Sequence, residues 1–322
     1  MKILITGGAG YIGSHITHFL TLHGYECIVY DNLSRGHKVS VKNTPLIIGD
    51  IRDKNKLSEI FKAHQFEAVI HLAGLAYVGE SNLEPMMYWD NNFIGTKILL
   101  EEMINAGIRR IIFSSSCSIY GDVGSLPITE QENTNPINTY GQSKLACEQL
   151  MDSLDKLDLM RSIRFRFFNA AGAEYKNQLG ELHIPETHLI PLLIEFALGK
   201  TTEFKVFGND YETRDGSAVR DFIHVSDIAM AHKMGLEFLL ENGSTEAINL
   251  GTGHGQSVLE IIKLIEKLLN KKLVFMTEKR RVGDPSQLIS DYSKANSLLN
   301  WRPTKNIENI LNDAICWHQS LT

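Results

Sequence analysis

An apolar run, Lys2–Thr6, leads without a break into Gly7-Gly8-Ala9-Gly10-Tyr11-Ile12-Gly13, and the stretch Tyr11–His23 that follows has helical periodicity. No other feature narrows the choice of fold as much. Glycine allows the turn to be tight and lets the backbone lie against a bulky anion, while the helix that starts there points free N–H groups at it. The spacing satisfies G-x-G-x-x-G (Gly8, Gly10, Gly13) and also G-x-x-G-x-x-G (Gly7, Gly10, Gly13). Between a strand and a helix, that arrangement holds a dinucleotide pyrophosphate.

Asp31 closes the next apolar run, about 20 residues on, where a carboxylate accepts hydrogen bonds from an adenosine ribose. A carboxylate there repels a 2′-phosphate and favours NAD over NADP; Arg35 is near enough in sequence to leave NADP open. Asp50-Ile51 follows the third run, where an acid reaches the adenine amino group, and Asp53 is the better helix N-cap. Ala73-Gly74 follows the fourth, where small residues permit close backbone approach.

The same alternation continues through the first half. Lys2–Thr6, Glu26–Tyr30, Leu46–Ile48, Ala68–Leu72, Arg110–Ser114 and Ser162–Phe168 read as short buried strands. Between them, Tyr11–His23, Lys54–His64, Asn92–Ala106 and Tyr140–Leu157 read as amphipathic helices. The expected fold is α/β: a Rossmann-type, doubly wound parallel sheet over residues 1–169, covered on both faces. Past Asn169 the rhythm breaks, and residues 170–322 are expected to form a smaller α/β domain for substrate. There Ala170–Thr187 reads as a long loop and Phe207–Arg220 as a polar, glycine-bearing segment. Helices are expected at His188–Leu198, Ser226–Leu240, Val258–Leu269 and Ile307–Gln319, with strands at Phe204–Val206, Ala247–Leu250 and Leu273–Met276.

Charge excludes some partners. The formal net charge is −6, and the basic residues are scattered among carboxylates, so neither nucleic acid nor an anionic membrane is an expected partner. The four cysteines, Cys27, Cys117, Cys147 and Cys316, form no C-x-x-C pair, which argues against zinc or disulfides and for reduced thiols. With no apolar run near the roughly 20 residues of a bilayer span and no signal-peptide layout at the N-terminus, the expected location is cytoplasmic.

The candidate chemistry lies in Tyr140-Gly141-Gln142-Ser143-Lys144. An i, i+4 spacing places phenol and ammonium on one helix face, and the ammonium is expected to lower the tyrosine pKa toward that of a usable general base. Ser114-Ser115-Ser116 ends a central strand, at the carboxyl edge where open α/β sheets bind ligands. A hydroxyl there can share a substrate alcohol with Tyr140.

The segments GGAGYIGSH, GDIRD, AGLAYVGES, FSSSCSIYG, YGQSK, FFNAAG, FGNDYETRDGSAVRDFIHV and RRVGDP together resemble the extended short-chain dehydrogenase/reductase family, from Met1 to about Trp317. The resemblance is nearest to members that invert C4 of a UDP-hexose with bound NAD. It implies Tyr140, Lys144 and Ser116 as catalytic: base on the 4-hydroxyl, ribose-holding cation, and hydrogen-bond partner of O4. It adds Tyr11, Ile12, Asn32, Leu72, Asn91, Ser114 and Phe167 to the cofactor set of Gly7, Gly10, Gly13, Asp31, Asp50, Ile51, Ala73, Gly74, Tyr140 and Lys144. For the UDP-sugar it implies Ser116, Asn169, His188, Leu189, Phe207, Arg220, Phe222, Arg281, Asp284 and Leu288, with no metal. A homodimer through the Asn92–Ala106 and Tyr140–Leu157 helices is also implied.

Three positions depart from the pattern. Ala76 stands where many relatives carry a lysine for the NAD pyrophosphate, and Phe167 where many have tyrosine. Leu288 stands at a gate where some hexose-specific members carry tyrosine; a smaller side chain would admit a 2-acetamido group. A sugar-nucleotide 4,6-dehydratase is the nearest rival, but it needs an Asp-Glu pair where this chain has Cys117 and Ser118. An NAD-sensing regulator on the same fold would have no use for the tyrosine–lysine pair and the serine run, and both are intact.

Overall fold

The computed structural model describes residues 1–281 and 284–321. In the first half, β1 (Lys2–Thr6), α1 (Tyr11–Leu22), β2 (Glu26–Asp31), β3 (Leu46–Ile48), α2 (Lys54–Ala63) and β4 (Ala68–His71) follow the expected alternation. Two short helices, α3 (Val78–Leu83) and α4 (Pro85–Tyr88), then lead through a wide π turn (Trp89–Ile94) into α5 (Gly95–Asn105). β5 (Arg110–Ser116), α6 (Thr139–Lys156) and β6 (Arg161–Phe167) complete this half.

The second half holds β7 (Asn169–Ala171), α7 (Leu189–Ala197), β8 (Lys205–Phe207), β9 (Val219–His224), α8 (Val225–Leu240) and β10 (Glu246–Leu250). It continues with β11 (Gly255–Ser257), α9 (Val258–Leu269), β12 (Met276–Glu278), β13 (Gln287–Leu288), α10 (Ser293–Leu299) and α11 (Ile307–Ser320).

Seven strands form one sheet in the order β3-β2-β1-β4-β5-β6-β10, and every pairing in it is parallel. Parallel strands joined by helices are buried on both faces, which is why they read as apolar runs. On one face Ile3, Ile5, Ile112, Ile163 and Phe165 pack with α1 and α8 residues such as Ile16 and Ile228. On the other, Leu4, Val69, Ile111 and Phe113 pack with Leu57, Leu99, Cys147 and Met151 from α2, α5 and α6. A third cluster, including Ile194, Phe204, Ile262 and Ile310, is the core of the C-terminal part.

Two expectations need correcting. The strand at Ala247–Leu250 was grouped with the C-terminal part, but β10 pairs with β6 and is an edge of the large sheet. The sheet thus draws on residues well beyond Asn169. The strand read at Leu273–Met276 is displaced to Met276–Glu278, beside β8; Leu273 and Phe275 do face the third cluster with Val274 outward, but the ladder pairing begins only at Met276.

β9 escaped the sequence reading altogether. It is the middle of the second sheet, with β11 and β13 on either side and β7 also paired to it. Its Arg220, Asp221 and His224 spoil the apolar pattern because they serve a buried polar region. Asp221 accepts hydrogen bonds from the Thr252, Gly253 and Ser290 backbones.

Phe165 is fully buried in the large sheet, so Phe165→Ala should cost about 3–5 kcal/mol. Leu22→Ala, at a residue 68% exposed, should cost less than about 0.5 kcal/mol. Urea denaturation midpoints of the two variants check this.

Candidate active site

β1 ends at Thr6, and Gly7 turns the chain with φ +74°. A methyl group on Gly7 would strike the Ala73 backbone, and one on Gly13 would strike the Gly7 carbonyl. The loop is thus pressed against the end of β4 with its backbone bare. Helix α1 opens at Gly10 with neither a side-chain cap nor an acidic residue in its first turn. That is a helix N-terminus left open to an anion.

Asp31 sits beside this loop at the end of β2. Its carboxylate accepts hydrogen bonds from Ala9 N at 3.0 Å and Leu33 N at 2.8 Å. Burial raises its pKa, and the Leu33 and Ala9 N–H groups oppose the rise. Asn32 Nδ2 donates to Asp50 Oδ2 at 2.8 Å. Arg52 binds the same carboxylate and holds the Asp50 pKa well below the usual range, chiefly by hydrogen bonding. Asp53 caps α2 through Lys56 N, and Ile51 is buried in the core. Arg35, the residue that left NADP open, is bound to Glu80 at 2.6 Å.

At the end of β4, Leu72 and Ala73 lie against the glycine loop, and a side chain on Gly74 would press on Lys144 Nζ. Asn92 ties this region together: its Oδ1 accepts from Leu75 N at 2.8 Å, and its Nδ2 reaches Leu75 O and Ser143 Oγ. The expected Asn91 donates to Asn92 Oδ1 at 3.0 Å. The π turn rotates these side chains out of α-helical phase, a device common at functional sites.

Helix α6 begins with Asn138 as its cap, Oδ1 accepting from Gly141 N at 2.8 Å. Lys144 Nζ donates to Ser114 O at 2.7 Å and lies 5.9 Å from the Tyr140 ring centroid. The Ser116 hydroxyl lies near enough to the Tyr140 phenol to favour its ionised form. Burial nevertheless raises the Tyr140 pKa to about 12, Ser116 pulling the other way. The expectation that Lys144 lowers it is therefore corrected for the chain alone. Burial also lowers the Lys144 pKa to about 8, because low-dielectric surroundings penalise both charged forms.

A buried pair behind these residues was not foreseen. Glu148, two turns past Tyr140 on α6, is bound by Arg166 of β6 through Nη2 at 2.7 Å and Nε at 3.1 Å. It also accepts from Ser115 Oγ at 2.5 Å. Arg166 Nη1 donates to the Tyr120 hydroxyl, which donates to Asn249 Oδ1. The i, i+8 spacing from Tyr140 was the one available signal.

The second sheet meets the serine strand here. Ser116 and Phe167 are register partners on β5 and β6. Leu288 is buried in one cluster with Cys117 and Phe168. Opposite Leu288 on β9, Arg220 binds Asp284 and donates to Pro285 O at 2.8 Å. Asn169 and Phe222 are register partners, with Phe222 turned into the third core cluster. Farther out, the Arg281 guanidinium lies 4.1 Å over the Phe207 ring.

His188 stands just ahead of Leu189 at the start of α7, its side chain making no capping bond to the helix. Burial works against its charge, yet Glu181 and Glu186 prevail and raise its pKa to about 10.

The chain's folded Lys144 holds its proton less tightly than an ordinary lysine. NMR of ε-¹³C-labelled lysine in the nucleotide-free protein should show one side chain titrating near pH 8 and absent in Lys144→Arg. Above that pH the unfolded chain binds the extra proton, so this group makes stability rise between about pH 8 and 10.5.

Comparison with known proteins agrees with this geometry. A family model described as the NAD dependent epimerase/dehydratase family matches residues 3–251. A UDP-glucose 4-epimerase of Rhizobium meliloti is 46% identical over 98% of this chain and 97% of its own length. The crystal structure of UDP-glucose 4-epimerase from Brucella ovis in complex with NAD superposes with TM-score 0.94 at 42% identity, covering 98% of this chain and 97% of its own. The UDP-Glc/GlcNAc 4-epimerase of Campylobacter jejuni superposes with TM-score 0.84 at 38% identity, covering 99% of each chain.

Proposed function

The chain belongs to the NAD dependent epimerase/dehydratase family, and from that premise we propose that it inverts C4 of a UDP-hexose, interconverting UDP-glucose and UDP-galactose with NAD held throughout. The observation that carries this reading is the meeting of Tyr140, Ser116 and Lys144 at the sheet edge beside the glycine loop.

The residues fit NAD. Gly7, Gly10 and Gly13 leave the loop bare, the Tyr11, Ile12 and Gly13 backbones open the uncapped helix, and Asp31 presents a fixed carboxylate. Asn32, Asp50 and Ile51 would hold its adenosine end, and Leu72, Ala73, Gly74, Asn91, Ser114 and Phe167 the rest of the dinucleotide. When bound, NAD supplies a cationic ring that takes and returns a hydride and favours the phenolate of Tyr140.

Tyr140 then acts as the base for the sugar 4-hydroxyl and later returns the proton. Ser116 shares that proton's path through its hydroxyl beside the phenol, and Lys144, anchored on Ser114 O, holds the ribose and adds positive charge. Asn169, His188, Leu189, Phe207, Arg220, Phe222, Arg281 and Asp284 form the UDP-sugar set. Within it Arg220, now paired with Asp284, is the anion clamp for the diphosphate. Residues 1–169 chiefly serve the cofactor, with Ser116, Tyr140 and Asn169 turned to the sugar, and 170–322 chiefly the substrate.

Leu288 supports a wider substrate range, including UDP-GlcNAc and UDP-GalNAc. The half-buried apolar residues of the π turn, α5 and α6, among them Phe93, Ile98, Leu150 and Leu154, with Ile94 40% exposed, support a homodimer through those helices. Among the described residues, no helix is long and apolar enough to cross a membrane; a cytoplasmic location agrees with the four free cysteines.

Proton NMR of the purified protein with UDP-galactose and no added NAD should show UDP-glucose forming. Release of NADH with accumulation of an oxidised or dehydrated sugar would overturn the epimerase reading. Tyr140→Phe should lower kcat by about 10²–10⁴-fold with NAD still bound. Leu288→Tyr should abolish turnover of UDP-GalNAc while UDP-galactose turnover persists; equal loss of both would remove Leu288 from the specificity argument.

A further inference from the structure

Residues 172–188 run from the second sheet across the mouth of the dinucleotide site and touch three separate loops of the large sheet. Where the loop after β1 runs into α1, the Tyr11 hydroxyl donates to Gly172 O at 2.6 Å, and its ring meets His183 edge-on at 6.3 Å. From the loop after β2, His37 Nε2 donates to Leu182 O at 2.6 Å, and the His37 backbone is itself bonded to Ala9. From the loop after β4, the Tyr77 hydroxyl donates to Pro185 O at 3.2 Å, with its ring against His183 and His188. Trp317 of α11 anchors the segment from behind through Nε1 to Glu181 O at 2.9 Å.

The segment is tied to itself by a cluster of four side chains. Glu181 Oε1 accepts from both His183 Nδ1 and His188 Nδ1 at 2.8 Å. Glu186 Oε1 accepts from His188 Nδ1 at 2.9 Å and from the Thr187 and His188 backbones. Four such donor atoms lie within 4.8 Å of one another, as metal ligands do. Yet ligands about 2.0 Å from a tetrahedral zinc stand about 3.3 Å apart, and contacts of 2.8–2.9 Å are ordinary charge-assisted hydrogen bonds. These bonds run among the four side chains, so the cluster's chemistry is that of a fastening, with the exposed edge of His188 left to the UDP-sugar set.

We propose that Glu181, His183, Glu186 and His188 are positioning residues for the dinucleotide: they shape residues 172–188 into a strap that closes the cofactor site and sets how slowly NAD leaves. This rests on the NAD reading above. One segment joins three connections that border the glycine loop, and the bonds of two carboxylates to two imidazoles are what tie its middle to itself. For a redox-neutral reaction, slow release is useful, because a reduced cofactor that escaped would strand the oxidised sugar.

The test uses the protein as purified. NAD content per chain is measured after heat denaturation, and release is timed against excess ethenoadenine-NAD. Hydrogen exchange of residues 173–188 is followed in parallel. Glu181→Gln and His183→Gln should release NAD roughly tenfold faster or more, the loss of one charge-assisted bond, with faster exchange across the strap. His37→Gln, which removes one outer contact and leaves the cluster intact, should also speed release while kcat at saturating NAD stays within about twofold. It covers the case in which the cluster variants do not fold.

Faster exchange across the strap with unchanged NAD release would overturn the proposal, as would variants that loosen neither. Wild-type protein that carries and binds no NAD would overturn the underlying functional reading instead.

Discussion

Glu148 and Arg166 form a buried ion pair between the helix that carries Tyr140 and Lys144 and the strand beside the serine run. Removing one partner of such a pair leaves a charge stranded in low dielectric, at a cost of about 3–5 kcal/mol. The pair therefore sets where α6 sits, and Ser115, held by the same carboxylate, sets where Ser116 sits. Tyr140 and Ser116 are brought together by this buried charge contact along with the Lys144 bond to Ser114 O and the packing of Cys147 and Met151.

The same burial explains the resting state of the site. Dehydration raises the Tyr140 pKa and lowers that of Lys144, so the chain alone holds a neutral phenol close to a lysine that loses its proton easily. His71, hydrogen-bonded to Thr6 and Thr96 behind the glycine loop, is kept neutral by burial and by Lys144, with its pKa near 3. A site built this way favours negative charge on Tyr140 only when a further positive charge enters.

Much of this was legible from residue order. The strands of the large sheet in the first half fell within a residue or two of their expected bounds, because parallel strands buried on both faces must be apolar throughout. The glycine loop, Asp31, the serine run and Y-x-x-x-K were readable because each answers a local requirement: bare backbone, a strand-end carboxylate, a strand-end hydroxyl, one helix face. β9 was not readable, since its charged residues face polar partners far away in sequence. Nor was β10, whose apolar pattern identified a strand but not its neighbour.

The sequence by itself determined most elements of the first half, the dinucleotide loop and the candidates for the reacting groups. These depend on periodicity and on conformations available to single residues. Tertiary structure alone decided which strand completes the sheet, how Glu148 and Arg166 register α6, and that residues 172–188 close over three loops. It also decided the sign of the Tyr140 shift. Each of these depends on burial and on contacts between residues distant along the chain, and neither dielectric nor long-range pairing is written in local spacing.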